Sequence, residues 1–235
     1  MLEDQLSSLR DGNLNKLVEL QKKIAEEVVL EDAFNYEEIK YVVGVDQAFF
    51  KKGDKEFVVS AAVLMSFPDL RFIDSGVDLR KVDFPYIPTF LMFREGDSAV
   101  EAVKKVLREK TVIIVDGSGI AHPRKCGLAT FVGVALRNPS IGVTKRPLYG
   151  KFEEPKRSGE SKGIFNDELI GYAYKPCARC NPIYVSPGNM ISPETALRVV
   201  VATIRNYKLP IPIREAHKMA NREKLNYLSD LDSSG

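Results

Sequence analysis

Three apolar runs rich in β-branched and aromatic residues crowd together between residues 39 and 79. They are IKYVVGVDQAFF (39–50), EFVVSAAVLMSF (56–67) and RFIDSGVDL (71–79). Lys52-Gly53-Asp54 separates the first two and Pro68-Asp69 the last two, so the spacing predicts hairpin connections and an antiparallel three-strand meander. A meander buries a face only if something packs on it, so the rest of the chain must supply the cover.

That cover is legible on both sides. LNKLVELQKKIAEEVV (14–29) sets Leu14, Leu17, Leu20, Ile24 and Val28 at helical spacing and predicts an amphipathic helix within residues 1–35. After the meander, Asp97 or Ser98 caps a predicted helix through Lys110, with Val100, Val103, Val106 and Leu107 on one face. TVIIVDGSG (111–119) reads as a buried strand, CGLATFVGVALRN (126–138) as a helix and SIGVTK (140–145) as a short strand. ELIGYAYK (168–175) and NPIYVSPG (181–188) read as further strands. Ser192-Pro193-Glu194 opens a helix to about Asn206, and Pro212 precedes a last one. Strands first, then alternating strands and helices, predict a mixed α/β fold. One domain is expected over residues 1–235, with a mobile loop at 149–163 and a frayed tail at 225–235.

Composition removes several classes. At 44% hydrophobic residues the 235-residue chain is too apolar for a disordered protein, and three cysteines are too few for a disulfide scaffold. With only His122 and His217, no site can be built from several histidines. MLEDQLSSLRDG lacks an apolar signal core and no run approaches a bilayer span, so a cytoplasmic protein is expected. A formal net charge of +2 names no partner. Locally, however, residues 144–163 carry Lys145, Arg146, Lys151, Lys156, Arg157 and Lys162 against Glu153, Glu154 and Glu160. That surplus suits either a solvated loop or a phosphate backbone.

Two acids interrupt strand-like runs: Asp46 in YVVGVDQAFF and Asp116 at the end of TVIIVD. A buried carboxylate needs a partner, which is a salt bridge, a turn hydrogen bond, or a cation shared between acids on neighbouring strands. Glu95 in FREG reads alone as a helix-start or surface acid. His217 shares a helix side with Arg214, Lys218 and Asn221, where a histidine is usually a surface or cap residue. His122 lies in DGSGIAHPRKCG, whose glycines and proline suit either a connection or a loop wrapped on a ligand. Cys177-Ala-Arg-Cys180 lacks two further ligands at zinc spacing and reads as a reduced pair or a local disulfide.

Taken in order, GVDQAF (44–49), FPYIPTFLMFRE (84–95), VDGSGIAHPRKCGLA (115–129), SIGVTK (140–145), NPIYVSPGNMISPETA (181–196) and LPIPIREAHK (209–218) resemble the endonuclease V family, nucleases acting on inosine-containing nucleic acid. The resemblance implies an RNase H-like fold, a mixed sheet with an antiparallel meander flanked by helices. It places metal-binding acids at Asp46, Glu95 and Asp116, and a fourth active-site position at His217. It sets Lys145 near the scissile phosphate and gives His122 a positioning role. Mg²⁺, with Mn²⁺ as a substitute, is the implied cofactor, since carboxylates and phosphate oxygens suit a hard cation. Tyr86 matches the family's wedge, flanked by Pro85, Ile87 and Pro88. Thr89, Leu91, Gly117 and Leu128 fall around the flipped base, Thr89 standing where many members have Gly and Ser118 where Asn is common. The implied reaction nicks DNA at the second phosphodiester bond 3′ to deoxyinosine, leaving a 5′-phosphate and a 3′-hydroxyl. RNA containing inosine is the alternative substrate, and a silent nucleic-acid-binding protein the alternative class. A monomer is expected.

Overall fold

The computed structural model describes residues 14–232. The stretch read for a secretory signal and the last three residues of the expected frayed tail lie outside the described residues. One eight-stranded sheet organises the rest, in the order β3-β2-β1-β4-β5-β8-β7-β6. The meander is β1 (Tyr41–Lys52), β2 (Lys55–Ser66) and β3 (Phe72–Val82), paired antiparallel throughout. Lys52 pairs with Lys55, so Gly53-Asp54 makes the turn, with Gly53 in the left-handed region at φ 56°. β4 (Thr111–Asp116) joins β1 in parallel, and β5 (Ser140–Thr144) joins β4 in parallel. β8 (Ile183–Asn189), β7 (Glu168–Tyr174) and β6 (Ser161–Asn166) complete the sheet antiparallel.

Alternation along the central strands assigns the two faces. Val42, Val112, Ile114, Ile141 and Val143 pack with Ala196, Val199 and Val200 of α4 (Pro193–Thr203) and with Ile213 and Ala216 of α5 (Ile211–Asp232). Val43, Val45, Ile113 and Val115 pack with Ala99, Val100 and Val103 of α2 (Met92–Lys104) and with Leu128, Phe131 and Val132 of α3 (Leu128–Leu136). Side chains two apart share a face, so each strand feeds both layers. The first helix, α1 (Leu14–Glu26), buries Leu17 and Gln21. No helix among the described residues is long and apolar enough to cross a membrane.

Four expectations are corrected. α2 begins at Met92 rather than after Asp97, because burial of Met92 starts the helix and no side chain caps it. Glu95 therefore sits in its first turn. β6 was not expected. SKGIFN has one fully buried residue, Ile164, and its strand character comes from its ladder with β7. That strand takes in the end of the predicted mobile loop. Lys151 and Phe165 exchange backbone hydrogen bonds of 2.8 Å, tying the loop's start to β6 as well. Finally, α5 runs to Asp232, so residues 225–232 are helical rather than frayed.

Candidate active site

Parallel pairing of β1 and β4 sets up the site. Val45 pairs with Val115, so Asp46 and Asp116 are the next residues of two adjacent strands. Both lie two residues beyond positions on the α5 face, Gly44 and Ile114, and therefore point to that face. β5 ends beside them. Val143 pairs with Asp116, and Lys145 Nζ reaches Asp116 Oδ2 at 2.6 Å. Gly44 lets α5 approach: a Cβ there would stand 2.0 Å from the Pro212 carbonyl carbon. The helix so placed carries His217, whose Nδ1 lies 2.6 Å from Asp46 Oδ2. Asn221 Nδ2 lies 3.3 Å from His217 Nε2. Nδ1 therefore holds the proton and donates to the carboxylate, while Nε2 is left as an acceptor.

Glu95 arrives from the opposite layer in the first turn of α2. Burial pushes its carboxyl up to about 8, with the charges of Asp46 and Asp116 adding to the rise and Arg94 opposing it. Asp46 is also raised, first by burial and then by Asp116, against its bonds from the Gln47 N–H and His217. These repulsions place the three acids within mutual electrostatic reach. Burial acts to lower the Lys145 ammonium, but the hydrogen bond and charge of Asp116, then Asp46, hold it above its usual range. Among the described residues, no three His, Cys, Asp or Glu side chains stand in preformed metal-ligand geometry. His217 and Lys145 instead occupy one carboxylate each. The donor set still fits a hard divalent cation, because it is all carboxylate oxygen and two of its members are destabilised as anions.

The segment that carries Tyr86 leads into α2. Tyr86 is 67% exposed, with Pro85 and Pro88 exposed on either side. Ile87 instead packs against Leu17, Phe84 and Phe90. Arg94 fastens the start of the segment. Its Nη1 donates to the Phe84 carbonyl at 2.8 Å, its Nη2 meets Glu56 at 2.7 Å, and the guanidinium lies over Phe49. The end of the segment turns at Thr89, at φ 70°.

His122 stands apart from the acids. It is 2% exposed, and both ring nitrogens are committed. Nε2 donates to the Thr89 carbonyl at 3.0 Å and Nδ1 accepts from the Arg124 N–H at 3.2 Å. Burial pulls its pKa down to about 4, with Arg124 assisting and the Thr89 bond opposing. A neutral, doubly bonded ring positions its neighbours and has no nitrogen free for proton transfer. Gly117 and Leu128 are in contact, since a Cβ at Gly117 would sit 3.1 Å from Leu128 Cβ. Leu91 is half-buried just ahead of α2. Ser118 closes the loop back onto α3, its carbonyl accepting from Ala129 N at 3.0 Å. Gly119 lets this loop pass over β8, as a Cβ there would meet the Pro187 oxygen at 2.1 Å.

Gln21 and Arg124 were missed by sequence reasoning. Gln21 is fully buried, joining Thr89, Cys126 and Arg124. A signal was present, because position 21 falls on the stripe of Leu17, Ile24 and Val28. In the basic stretch, Lys162 pairs with Glu153 and Glu160 at 3.4 and 3.5 Å, so part of the surplus is neutralised within the loop. Cys177 and Cys180 are joined as a disulfide, which decides between the two readings of that pair. Cys126 is buried, and its thiol is pushed up to about 12.

A mixed sheet with acids at neighbouring positions of adjacent parallel strands, a helix acid opposite and a lysine just past the next strand defines an RNase H-like nuclease. The chain belongs to the endonuclease V family, whose model, described as Endonuclease V, matches residues 22–218. Endonuclease V of Archaeoglobus fulgidus is 50% identical over 212 residues, covering 90% of this chain and 94% of its own. The crystal structure of Bacillus subtilis endonuclease V matches with a TM-score of 0.86 at 25% identity, over 93% of this chain and 94% of that one. A Ciona intestinalis endonuclease V, in complex with a 23mer DNA containing an inosine followed by a ribo-adenosine, matches with a TM-score of 0.78. It is 25% identical, over 91% of this chain and 97% of that one.

Proposed function

We propose that this chain is a Mg²⁺-dependent repair endonuclease that nicks DNA at the second phosphodiester bond 3′ to deoxyinosine, leaving a 5′-phosphate and a 3′-hydroxyl. The observation that carries the reading is the gathering of Asp46, Glu95, Asp116 and Lys145, with an exposed tyrosine between prolines in the segment that leads into the helix of Glu95. The inosine-containing DNA bound by the Ciona relative supports the substrate class.

Asp46, Glu95 and Asp116 would hold the cation, with Mn²⁺ as a substitute. Bound there, it supplies Lewis acidity toward phosphate oxygens and an acidified water. Lys145, half-exposed beside Asp116, offers its ammonium to a phosphate oxygen. His217 orients the Asp46 carboxylate through Nδ1 and presents Nε2 as a proton acceptor. Tyr86 fills the gap left when a base leaves the stack. Flipping costs a few kcal/mol and less for a weakly paired base, which favours deaminated positions. Thr89, Leu91, Gly117 and Leu128 surround the extruded base, where backbone donors and acceptors read its edge.

The test is cleavage of one oligonucleotide set carrying inosine, uracil, an abasic site or a mismatch, in DNA and in RNA backbones. The expected result is Mg²⁺-dependent nicking of the inosine DNA strand. Preferential cutting of inosine RNA would reassign the chain as a ribonuclease, and binding without cutting would make it a silent nucleic-acid-binding protein.

A further inference from the structure

Thr89 poses a conformational problem. Its φ of 70° is left-handed, a region that costs an L-residue about 1–2 kcal/mol, and a β-branched side chain fits it badly. Something must hold it there. Three donors converge on its carbonyl oxygen: Gln21 Nε2 at 2.8 Å, Arg124 Nη2 at 2.9 Å and His122 Nε2 at 3.0 Å. The Thr89 hydroxyl accepts a further bond from Arg124 Nη2 at 2.6 Å. Arg124 is itself oriented by Gln21 Oε1, which accepts from Nε at 2.5 Å, and by stacking over Phe90. Gln21 Nε2 also reaches the Cys126 carbonyl at 3.3 Å, tying α1 to the loop ahead of α3.

We propose that Gln21, Arg124 and Thr89 form a latch through which the first helix holds the Tyr86 segment in one conformation, so that base selectivity depends on a helix that carries none of the acids. The proposal deepens the nuclease reading above and rests on it for the word selectivity. The three are positioning residues. Sequence separation makes the point: Gln21 and Thr89 are 68 residues apart, and Gln21 and Cys126 are 105. One buried glutamine therefore fixes both the wedge segment and the His122 loop against the same helix. A segment held this way offers a pocket of one shape, and a base that fits poorly cannot be accommodated by moving the segment.

The experiment separates the latch from the activity. Amide hydrogen exchange of the intact protein reads the latch, through the Phe90 and Phe93 amides that bond to the Ile87 and Phe90 carbonyls. Thr89→Val removes the hydroxyl and keeps the branched shape, while Thr89→Ser keeps the hydroxyl. Gln21→Met keeps the length of the glutamine without its amide. Thr89→Val and Gln21→Met should speed exchange about tenfold or more, as expected for a lost charge-assisted or buried bond. Thr89→Ser should stay within about twofold of the parent. On matched strands, Thr89→Val and Gln21→Met should lower the ratio of inosine to uracil cleavage by about fivefold, through KM more than kcat.

Unchanged exchange in both variants would overturn the latch. Faster exchange with an unmoved cleavage ratio would overturn its part in selectivity. A parent protein that cuts neither strand would overturn the nuclease reading, while the exchange response would still decide the latch on its own.

Discussion

The acid pocket, on β1, β4 and α2, and the Thr89 latch, on α1 and two loops, are built on opposite principles. In the pocket, Asp46 and Glu95 are buried, but the side chains bonded to the carboxylates are accessible: those of His217 and Lys145 are 60% and 50% exposed. In the latch, Gln21 and His122 are 0% and 2% exposed, and their polar atoms are paired inside the protein with neutral or backbone groups and one arginine. On the proposed function the pocket exchanges a cation and a phosphate, which suits charges kept frustrated and partners kept loose. A region that must keep a shape satisfies its polar groups and shuts water out. Activity and stability should therefore respond to different residues.

The largest expected effect is on activity in the pocket. Asp116→Ala removes a carboxylate from the set while leaving the Tyr86 segment intact. Nicking of an inosine strand should fall by about a thousandfold or more, the scale of losing a principal electrostatic group. Binding to the same strand should persist in a gel-shift assay. Full nicking by this variant in Mg²⁺ would sink the assignment of the acids.

The next effect belongs to the latch and is read as stability against pH. His122 has an ordinary value of 6.5 and about 4 in the fold, so the unfolded chain takes up the proton first as pH falls. Its contribution is complete above about pH 6.5 and is lost as pH falls from there toward 4, to a total of about 3 kcal/mol. Urea melts at pH 7 and at pH 4.5 should show most of this loss in the parent and a correspondingly smaller loss in His122→Gln. Equal losses in the two proteins would mean that the ring does not stay neutral in the fold.

A third effect returns to the pocket. A divalent cation that binds only the folded acids should stabilise by about 1–3 kcal/mol at concentrations tens to a hundred times Kd. That corresponds to a rise in Tm of several degrees for a chain of this size, at about 2–4 °C per kcal/mol. Asp46→Asn and Asp116→Asn should lose the response to Mg²⁺, and Thr89→Ser should keep it. A Mg²⁺ response that survives both acid substitutions would move the cation elsewhere.

What could be read in advance divides along the same line. The meander, β4 and the two acids were legible because strand periodicity and an acid inside an apolar run are local signals. β6 was not, because SKGIFN acquires its strand from a ladder to β7 that no local pattern announces. The start of α2 shifted because Met92 begins the helix by burial, without a capping side chain. The latch was hidden for a further reason. Gln21 sits on an apolar stripe, which hints at burial, but its partners lie 68 and 105 residues away. A lone glutamine in a charged helix says nothing of them. Position 89 carried a departure from the family pattern, and the left-handed φ gives its physical meaning: the backbone there suits glycine, and threonine holds it only with help from Arg124.

The smallest expected effect sharpens the comparison most. Lys145 bonds Asp116 at 2.6 Å, as short as the His217 bond to Asp46, and by distance alone it looks structural. Half its side chain faces solvent, and exposed pairs of this kind contribute about 0–1 kcal/mol after screening and side-chain entropy. Lys145→Ala should therefore change the urea midpoint by less than about 0.5 kcal/mol in equivalent stability. Its nicking rate should still drop by about ten to a hundredfold, because the ammonium faces a phosphate that is present only with substrate. A residue inside the latch should behave the other way round, costing stability before it costs rate. If Lys145→Ala unfolds the protein as readily as Gln21→Met, the pocket is held together by its own ion pair. Exchangeable charge would then no longer distinguish the pocket from the latch.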